Sequence, residues 1–94
     1  MTDEIKKVFE IIEDRKKNPK PGSYTTSLFE EGEQKILAKI KEESKEVIKA
    51  AEGEGNHRLI EEIDDLFYHV FVLMVEKGIT FKDLEKEEEK RMKK

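Results

Sequence analysis

The chain has 94 residues, of which 45% are charged and 35% hydrophobic, and its formal net charge is −4. This length corresponds to one domain, which we expect to span residues 1–94. The absence of cysteine excludes disulfides and thiolate metal sites. The negative charge is not that of a general nucleic-acid-binding protein, and no apolar run approaches the roughly 20 residues that cross a membrane.

The first residues, Met1–Glu4, are polar and acidic and lack the apolar core of a secretion signal. A soluble, cytoplasmic protein is therefore expected. With 7% aromatic residues, the chain can build only a thin core from helix faces. Domains of this size bury a modest share of their surface, so oligomerisation is expected to supply the rest.

The first third of the chain predicts one helix followed by a shorter one. Residues 3–17 carry apolar side chains at helical spacing and are predicted to form the first helix. The segment 18–22, which contains two prolines and a glycine, ends it. The polar stretch 23–27 is predicted to cap a short helical piece around Leu28, and Gly32 marks a bend.

The rest of the chain predicts three more helices. Residues 33–52 and 57–77 form two long helices, with a glycine-rich turn over 53–56 between them. Thr80 is predicted to cap a last helix over 81–92. No strand alternation is present, and short connections favour antiparallel neighbours. The predicted fold is an all-α antiparallel helical bundle that is completed by dimerisation.

The most informative feature is a pair of acidic clusters on the two long helices. Glu42, Glu43 and Glu46 lie on the first helix, and Glu62 and Asp65 lie on the second. Each cluster pairs carboxylates three or four positions apart, which places them on one helix face, where like charges repel. Because a helix advances about 100° per residue, Glu43 falls inside the apolar stripe of its helix and Glu46 at its edge.

The second long helix repeats this arrangement. Glu62 borders its apolar stripe, and beyond His69 the helix is apolar almost all round over residues 70–75. A helix that is apolar on every side is buried on every side. We therefore expect Asp65 and His69 to be enclosed by other helices or by a second subunit.

Buried carboxylates are costly unless they are paired or bind a metal. The acids of the two clusters exceed the nearby positive charge of Lys39 and His69, and a bound cation would relieve the excess. Carboxylate, water and phosphate oxygens are the ligands that Mg²⁺ prefers. The pattern therefore favours a metal-dependent enzyme that acts on phosphates. The alternative is that these acids are solvated or form surface salt bridges.

The same residues carry a resemblance to a known family. The pattern Glu42-Glu43-x-x-Glu46 followed by Glu62-x-x-Asp65 resembles the signature of the all-α nucleoside triphosphate pyrophosphohydrolases, the MazG-like superfamily. Further segments make the chain similar to the phosphoribosyl-ATP pyrophosphohydrolases of histidine biosynthesis, above all Ser23-Tyr24-Thr25 and Asp65-Leu66-x-Tyr68-His69. Asp64 and Phe67 depart from the residues that are usual in that family.

The resemblance implies hydrolysis of the α–β phosphoanhydride of phosphoribosyl-ATP, with Mg²⁺ as cofactor and pyrophosphate and phosphoribosyl-AMP as products. It implies a metal shell of Glu43, Glu46, Glu62 and Asp65. Glu42 is a possible fifth acid, either as a ligand of a second metal or as the base that activates water. The expected catalytic residues are thus Glu42, Glu43 and Glu46.

An anionic substrate requires positive charge beyond the metal. Lys39 is the best candidate by position, with Arg15, Lys35 and Arg91 behind it. For each of these cations the alternative is a solvated surface charge, which in a chain with 19 lysines and arginines is the commoner case for Lys35 and Arg91.

Three uncharged or weakly basic residues complete the predicted substrate site. Tyr24 and Thr25 are expected in a loop over the substrate, and the alternative for both is helix capping and packing. His69 is expected to bond a phosphate or orient a carboxylate, and the alternative is a purely structural histidine.

The resemblance also implies a homodimer and a separate phosphoribosyl-AMP cyclohydrolase as functional partner, because no cysteine-containing cyclohydrolase segment is present. Two other functions stay open. One is a house-cleaning pyrophosphohydrolase that acts on dUTP, dCTP or modified nucleoside triphosphates. The other is a helical interaction module without enzymatic activity, which would need neither the acids nor Mg²⁺.

Overall fold

A computed structural model describes residues 3–93, so Met1 and Thr2 of the acidic first segment lie outside the described residues. The described chain forms five helices, which are α1 (Asp3–Lys17), α2 (Tyr24–Glu31), α3 (Glu33–Gly53), α4 (Asn56–Glu76) and α5 (Phe81–Met92). No strand occurs over this range. The all-α prediction is confirmed, and the predicted ends of the long helices agree with the structure to within one residue.

The core forms where α1, α2 and α3 pack on α4. Helix α3 lies along α4 over much of its length, α1 packs against α4, and the short α2 contacts all three. The largest fully buried side chains are Phe9, Ile12, Leu28, Ile36 and Val72. Full burial of one such side chain contributes about 1.5–3 kcal/mol, so these contacts hold the long helices against each other.

Helix α5 is attached at its start. The ring of Phe81 is buried and lies 5.5 Å from the ring of Phe9. Thr80 caps the helix as predicted, because its hydroxyl accepts a hydrogen bond from the Asp83 backbone N–H at 3.1 Å. The Asp83 carboxylate accepts in return from the Thr80 N–H at 2.9 Å, which completes a capping box.

The segment 70–75 of α4 is covered unevenly. Phe71, Val72 and Met74 are buried, whereas the other three residues are half-buried. Next to this segment, the side chains of α1 and α4 line an apolar groove of about 260 Å³. Val8, Ile11 and Phe67 lie along the groove and are 38%, 55% and 44% exposed. The prediction that residues 70–75 are buried on every side is therefore wrong for a single chain.

None of the helices within residues 3–93 is both long enough and apolar enough to cross a membrane.

Candidate active site

The packing of α3 on α4 brings acids of the two predicted clusters together. Carboxylate oxygens of Glu43, Glu62 and Asp65 all lie within 4.8 Å of one another. Glu43 and Glu62 are 8% and 3% exposed, and Asp65 is exposed. The cluster therefore has a buried floor and opens to solvent on the Asp65 side.

The expectation that Asp65 is enclosed is wrong for the single chain. Asp65 lies three residues after Glu62, on the side of Glu62 that points away from the apolar stripe of α4. The helices that cover the stripe cover Glu62 and His69 but leave the Asp65 carboxylate exposed. Exposure on this side makes the cluster accessible to an ion or a substrate from solution.

The two remaining acids of α3 lie beside the three-carboxylate cluster. Glu46 is half-buried one turn after Glu43, and its charge is among those that act on Glu62. Glu42 is exposed at the rim, where its carboxylate accepts a hydrogen bond from the Lys39 ammonium at 3.3 Å. Of the five acids, three thus form the central cluster, Glu46 lies next to it and Glu42 lies at its rim.

Two cations neutralise part of this charge. The Lys39 ammonium lies 3.7 Å from the Glu43 carboxylate, in addition to its bond with Glu42. The Arg58 guanidinium lies 2.6 Å from the Glu62 carboxylate. Arg58 was not predicted from the sequence, although its position four residues before Glu62 is the spacing of helical ion pairs and could have indicated it.

The electrostatics of the cluster favour binding of positive charge. Burial raises the pKa of Glu62, the Arg58 charge opposes this, and the charges of Asp65, Glu43 and Glu46 raise it further. Burial alone would lower the pKa of Lys39, but the hydrogen bond to Glu42 and the nearby acids raise it. Negative charge thus remains in excess at the cluster.

The Ser-Tyr-Thr segment begins α2 and does not form a loop, so the prediction of a loop over the substrate is wrong. Ser23 is the N-cap, and its hydroxyl accepts a hydrogen bond from the Thr26 N–H at 3.2 Å. Thr25 is buried and hydrogen-bonds through its hydroxyl to the hydroxyl of Tyr68 on α4. The segment therefore both caps α2 and fastens α2 to α4.

Tyr24 connects α2 to the acidic side of α4. Its hydroxyl lies 2.8 Å from Nε2 of His69, and Nδ1 of His69 lies 2.7 Å from the backbone carbonyl oxygen of Asp65. His69 is 5% exposed, whereas Tyr24 is 50% exposed. Two hydrogen bonds thus connect the backbone carbonyl of Asp65, through His69, to the partly exposed ring of Tyr24.

The other three predicted substrate cations lie outside this arrangement. Arg15 pairs with Asp14 at 3.0 Å, Arg91 pairs with Glu87 on α5 at 3.1 Å, and Lys35 is exposed. Within the described part of the chain, none of the three forms an ion pair with an acid of the cluster.

A helical bundle that presents a solvent-open carboxylate cluster, with a lysine beside it, has the features of an all-α enzyme that hydrolyses phosphoanhydrides. A family model described as phosphoribosyl-ATP pyrophosphohydrolase matches residues 5–92. The chain belongs to this family, and the resemblance seen in its motifs is confirmed.

Individual relatives agree with the family match. A phosphoribosyl-ATP pyrophosphatase from Clostridium botulinum (strain Hall) is 60% identical over 87 residues, which cover 93% of this chain and 79% of that relative. One from Bacillus mycoides is 48% identical over 91 residues, covering 97% and 85%. The histidine biosynthesis bifunctional protein HisIE of Caldanaerobacter subterraneus is 47% identical over 90 residues, covering 96% of this chain but 44% of that relative.

Proposed function

We propose that this protein hydrolyses phosphoribosyl-ATP to phosphoribosyl-AMP and pyrophosphate in histidine biosynthesis, with Mg²⁺ as cofactor. The observation that carries the proposal is the family match over residues 5–92, which spans all the acids of the cluster. The relatives whose names state this activity are similar to the chain over more than nine tenths of its length.

The donor set of the cluster fits a hard divalent cation. Two oxygens bound to one Mg²⁺ lie at most about 4.2 Å apart, twice the usual Mg–O distance. The oxygens of Glu43, Glu62 and Asp65 lie within 4.8 Å of one another, so a small side-chain movement would close the shell. Half-buried Glu46 is the fourth ligand that we propose, directly or through water. Such an ion neutralises developing charge and lowers the pKa of a bound water.

The residues around the cluster would bind the substrate and handle protons. Lys39, held between two carboxylates, would bind the phosphate chain on the open side. Attack by water at the α-phosphorus breaks the bond to the bridging oxygen, which leaves with pyrophosphate and takes the bond's electron pair. The proton of the attacking water passes to a carboxylate, for which Glu46 and Glu42 are the candidates.

We propose further substrate contacts around the acidic cluster. These contacts would come from Tyr24 and His69, which are hydrogen-bonded to each other, and from Thr25, which is hydrogen-bonded to Tyr68. Arg15, which pairs with Asp14, is also a proposed substrate contact. Lys35 and Arg91 are further proposed substrate contacts.

We also propose that the active form is a cytoplasmic homodimer. The exposed apolar side chains along the groove between α1 and α4 would be covered by a second copy of the chain. A phosphoribosyl-AMP cyclohydrolase would use the product. The bifunctional name of the Caldanaerobacter relative supports this coupling.

The decisive experiment is pyrophosphate release with Mg²⁺, comparing phosphoribosyl-ATP with ATP, dUTP and dCTP, and Glu46→Gln with the wild type. Strong preference for phosphoribosyl-ATP that is lost in the variant is the expected result. Equal activity on the simple triphosphates would move the protein to the house-cleaning class. If none of the four is hydrolysed and Mg²⁺ does not raise the melting temperature, an interaction module becomes the better explanation.

A further inference from the structure

Tyr24 differs from most aromatic residues of the chain in its exposure. Among residues 3–93, the exposed aromatic side chains are Tyr24 and Phe67, at 50% and 44%. Phe67 lies in the apolar groove between α1 and α4, which the proposed homodimer would cover. Tyr24, at the start of α2, is not part of the lining of that groove. It is therefore the exposed aromatic ring that is left to meet a dissolved ligand.

The ring of Tyr24 is held by two neighbouring rings of α4. It stacks on the ring of Tyr68, with the centroids 6.5 Å apart and the planes at 25°. The ring of His69 meets it edge-on, at 5.8 Å and 81°. Both arrangements are typical of attractive aromatic pairs. Since Tyr68 lies against one face of the Tyr24 ring, the exposure of this side chain belongs mainly to the opposite face.

Hydrogen bonds place this ring next to the acidic cluster. A backbone carbonyl can only accept, so Nδ1 of His69 donates to the Asp65 oxygen at 2.7 Å. Nε2 of the neutral imidazole is then an acceptor, and the Tyr24 hydroxyl donates to it at 2.8 Å. One imidazole ring and two hydrogen bonds thus separate the hydroxyl from Asp65, whose carboxylate is the exposed member of the cluster. Burial raises the pKa of Tyr24, and the charges of Lys39 and Glu43 act on it in opposite directions.

We propose that the open face of the Tyr24 ring is the surface on which the purine base of the substrate stacks. A single ribose joins the base of a nucleotide to its α-phosphate, so a base on Tyr24 leaves the α-phosphate within reach of the cluster. Stacking on an aromatic side chain suits this ligand because a nucleobase presents a flat π-face. The proposal rests on the proposed function, which puts the phosphate chain at the cluster, and adds the binding site of the base.

The competing explanation is that Tyr24 only fastens α2 to α4 through its hydroxyl. Thr25 already fastens these helices through the hydroxyl of Tyr68, so the two roles of Tyr24 can be separated. Fastening requires the hydroxyl, whereas stacking requires the ring. Tyr24→Phe removes the hydroxyl and keeps the ring, and Tyr24→Leu removes both.

The first test detects stacking directly and does not depend on catalysis. AMP carries base, ribose and phosphate, whereas ribose 5-phosphate lacks the base, and both are titrated with Mg²⁺ present. The chain contains two tyrosines, so NMR of carbon-13-labelled tyrosine gives one set of ring signals for Tyr24 and one for Tyr68. AMP should move the Tyr24 ring protons upfield, since a stacked purine shields them, and ribose 5-phosphate should not. Tyr24 ring signals that stay unchanged at saturating AMP would overturn the proposal.

The second test measures the Kd of the same two probes by isothermal titration calorimetry. We expect Tyr24→Leu to raise the Kd of AMP about tenfold, as for the loss of one base–aromatic contact. Tyr24→Phe should keep most of the affinity, because the ring remains. The Kd of ribose 5-phosphate should be the same in all three proteins. Equal losses of AMP affinity in the two variants would assign the effect to the hydroxyl and refute the stacking role.

Controls separate this result from misfolding and from failure of the proposed function. Phe67→Leu makes the matched change at the other exposed aromatic residue and should leave the Kd of AMP unchanged. Tyr24→Met is the second non-aromatic variant, should Tyr24→Leu prove unstable. Parallel losses for AMP and ribose 5-phosphate would indicate a damaged phosphate site and contradict a role limited to the base. A wild type that stacks AMP on Tyr24 but does not cleave phosphoribosyl-ATP would refute the proposed function and support the stacking site.

Discussion

The acids of α5 are denser in the sequence than those of the α3–α4 pair, but the two sets lie in different surroundings. In α5, Glu87 and Glu89 are exposed, and Glu87 pairs with Arg91 of the same helix at 3.1 Å. In the α3–α4 pair, Glu43 and Glu62 are buried and face each other across two helices. The comparison shows that the apolar residues flanking an acid, more than the number of acids, indicate a site.

The largest effect is expected when the most buried acid of the cluster, Glu62, loses its charge. Glu62→Gln keeps the shape of the side chain but removes a charged oxygen, and we expect kcat/KM to fall by at least about 100-fold, beyond the range found for outer-shell changes. Glu89→Gln makes the same chemical change on α5 and should leave kcat/KM within about twofold. Comparable losses in both variants would mean that the two regions do not differ in function.

A smaller effect is expected when the competing cation is removed. Arg58 pairs with Glu62 at 2.6 Å, so its charge repels a divalent ion at the same carboxylate. We expect Arg58→Gln to tighten Mn²⁺ binding by about fivefold, the size of one repulsion between near neighbours in water. Isothermal titration calorimetry measures this change, and Arg91→Gln is the matched control on α5. Weaker Mn²⁺ binding in Arg58→Gln would show that the arginine supports the site.

The smallest expected effect is the pH dependence of stability, which has opposite signs in the two regions. The raised pKa of Glu62 means that folding favours its protonated form. Its contribution to stability is therefore complete below the ordinary value of 4.5 and is lost as the pH rises through the raised pKa. Hydrogen bonds from Thr80 lower the pKa of Asp83. Its contribution is present above the ordinary value of 3.8 and is lost as the pH falls through the lowered pKa.

Thermal unfolding without divalent ions, measured from pH 7 to pH 2, tests these signs. Acidification towards pH 4.5 should raise the Tm of the wild type relative to Glu62→Gln. Acidification below pH 3.8 should lower the Tm of the wild type relative to Asp83→Asn. Each change should amount to a few degrees at most. The same sign for both pairs would contradict the environments described for these two carboxylates.

The helices and their ends could be predicted from the sequence because the signals are local. The period of the apolar residues, the breaker segment 18–22 and the cap at Thr80 each act within a few neighbouring residues. The burial of Glu43 and Glu62 could also be predicted, since it follows from their angles relative to an apolar stripe. The relation to a family followed from motifs distributed over nearly the whole chain.

Features that depend on how separate helices pack together could not be predicted from such local signals. The exposure of Asp65 depends on where α2 and α3 stop covering α4. The Tyr24–His69 bond joins residues 45 positions apart, and its geometry depends on the angle between α2 and α4. Arg58 is a different case, because its partner Glu62 lies four residues further along the same helix, a local spacing from which the ion pair could have been predicted.

The conformation of Gly32, which connects α2 and α3, has a stereochemical consequence. Gly32 alone separates α2 from α3 and has φ 93° and ψ −178°, the mirror image of an extended conformation. A Cβ at this position would meet no other atom within 4 Å, so only handedness restricts the residue. A chemically synthesised chain with D-alanine at position 32 should keep Tyr24 and Lys39 in place, whereas L-alanine should not. The positions of Tyr24 and Lys39 thus depend on residue 32 lacking an L side chain.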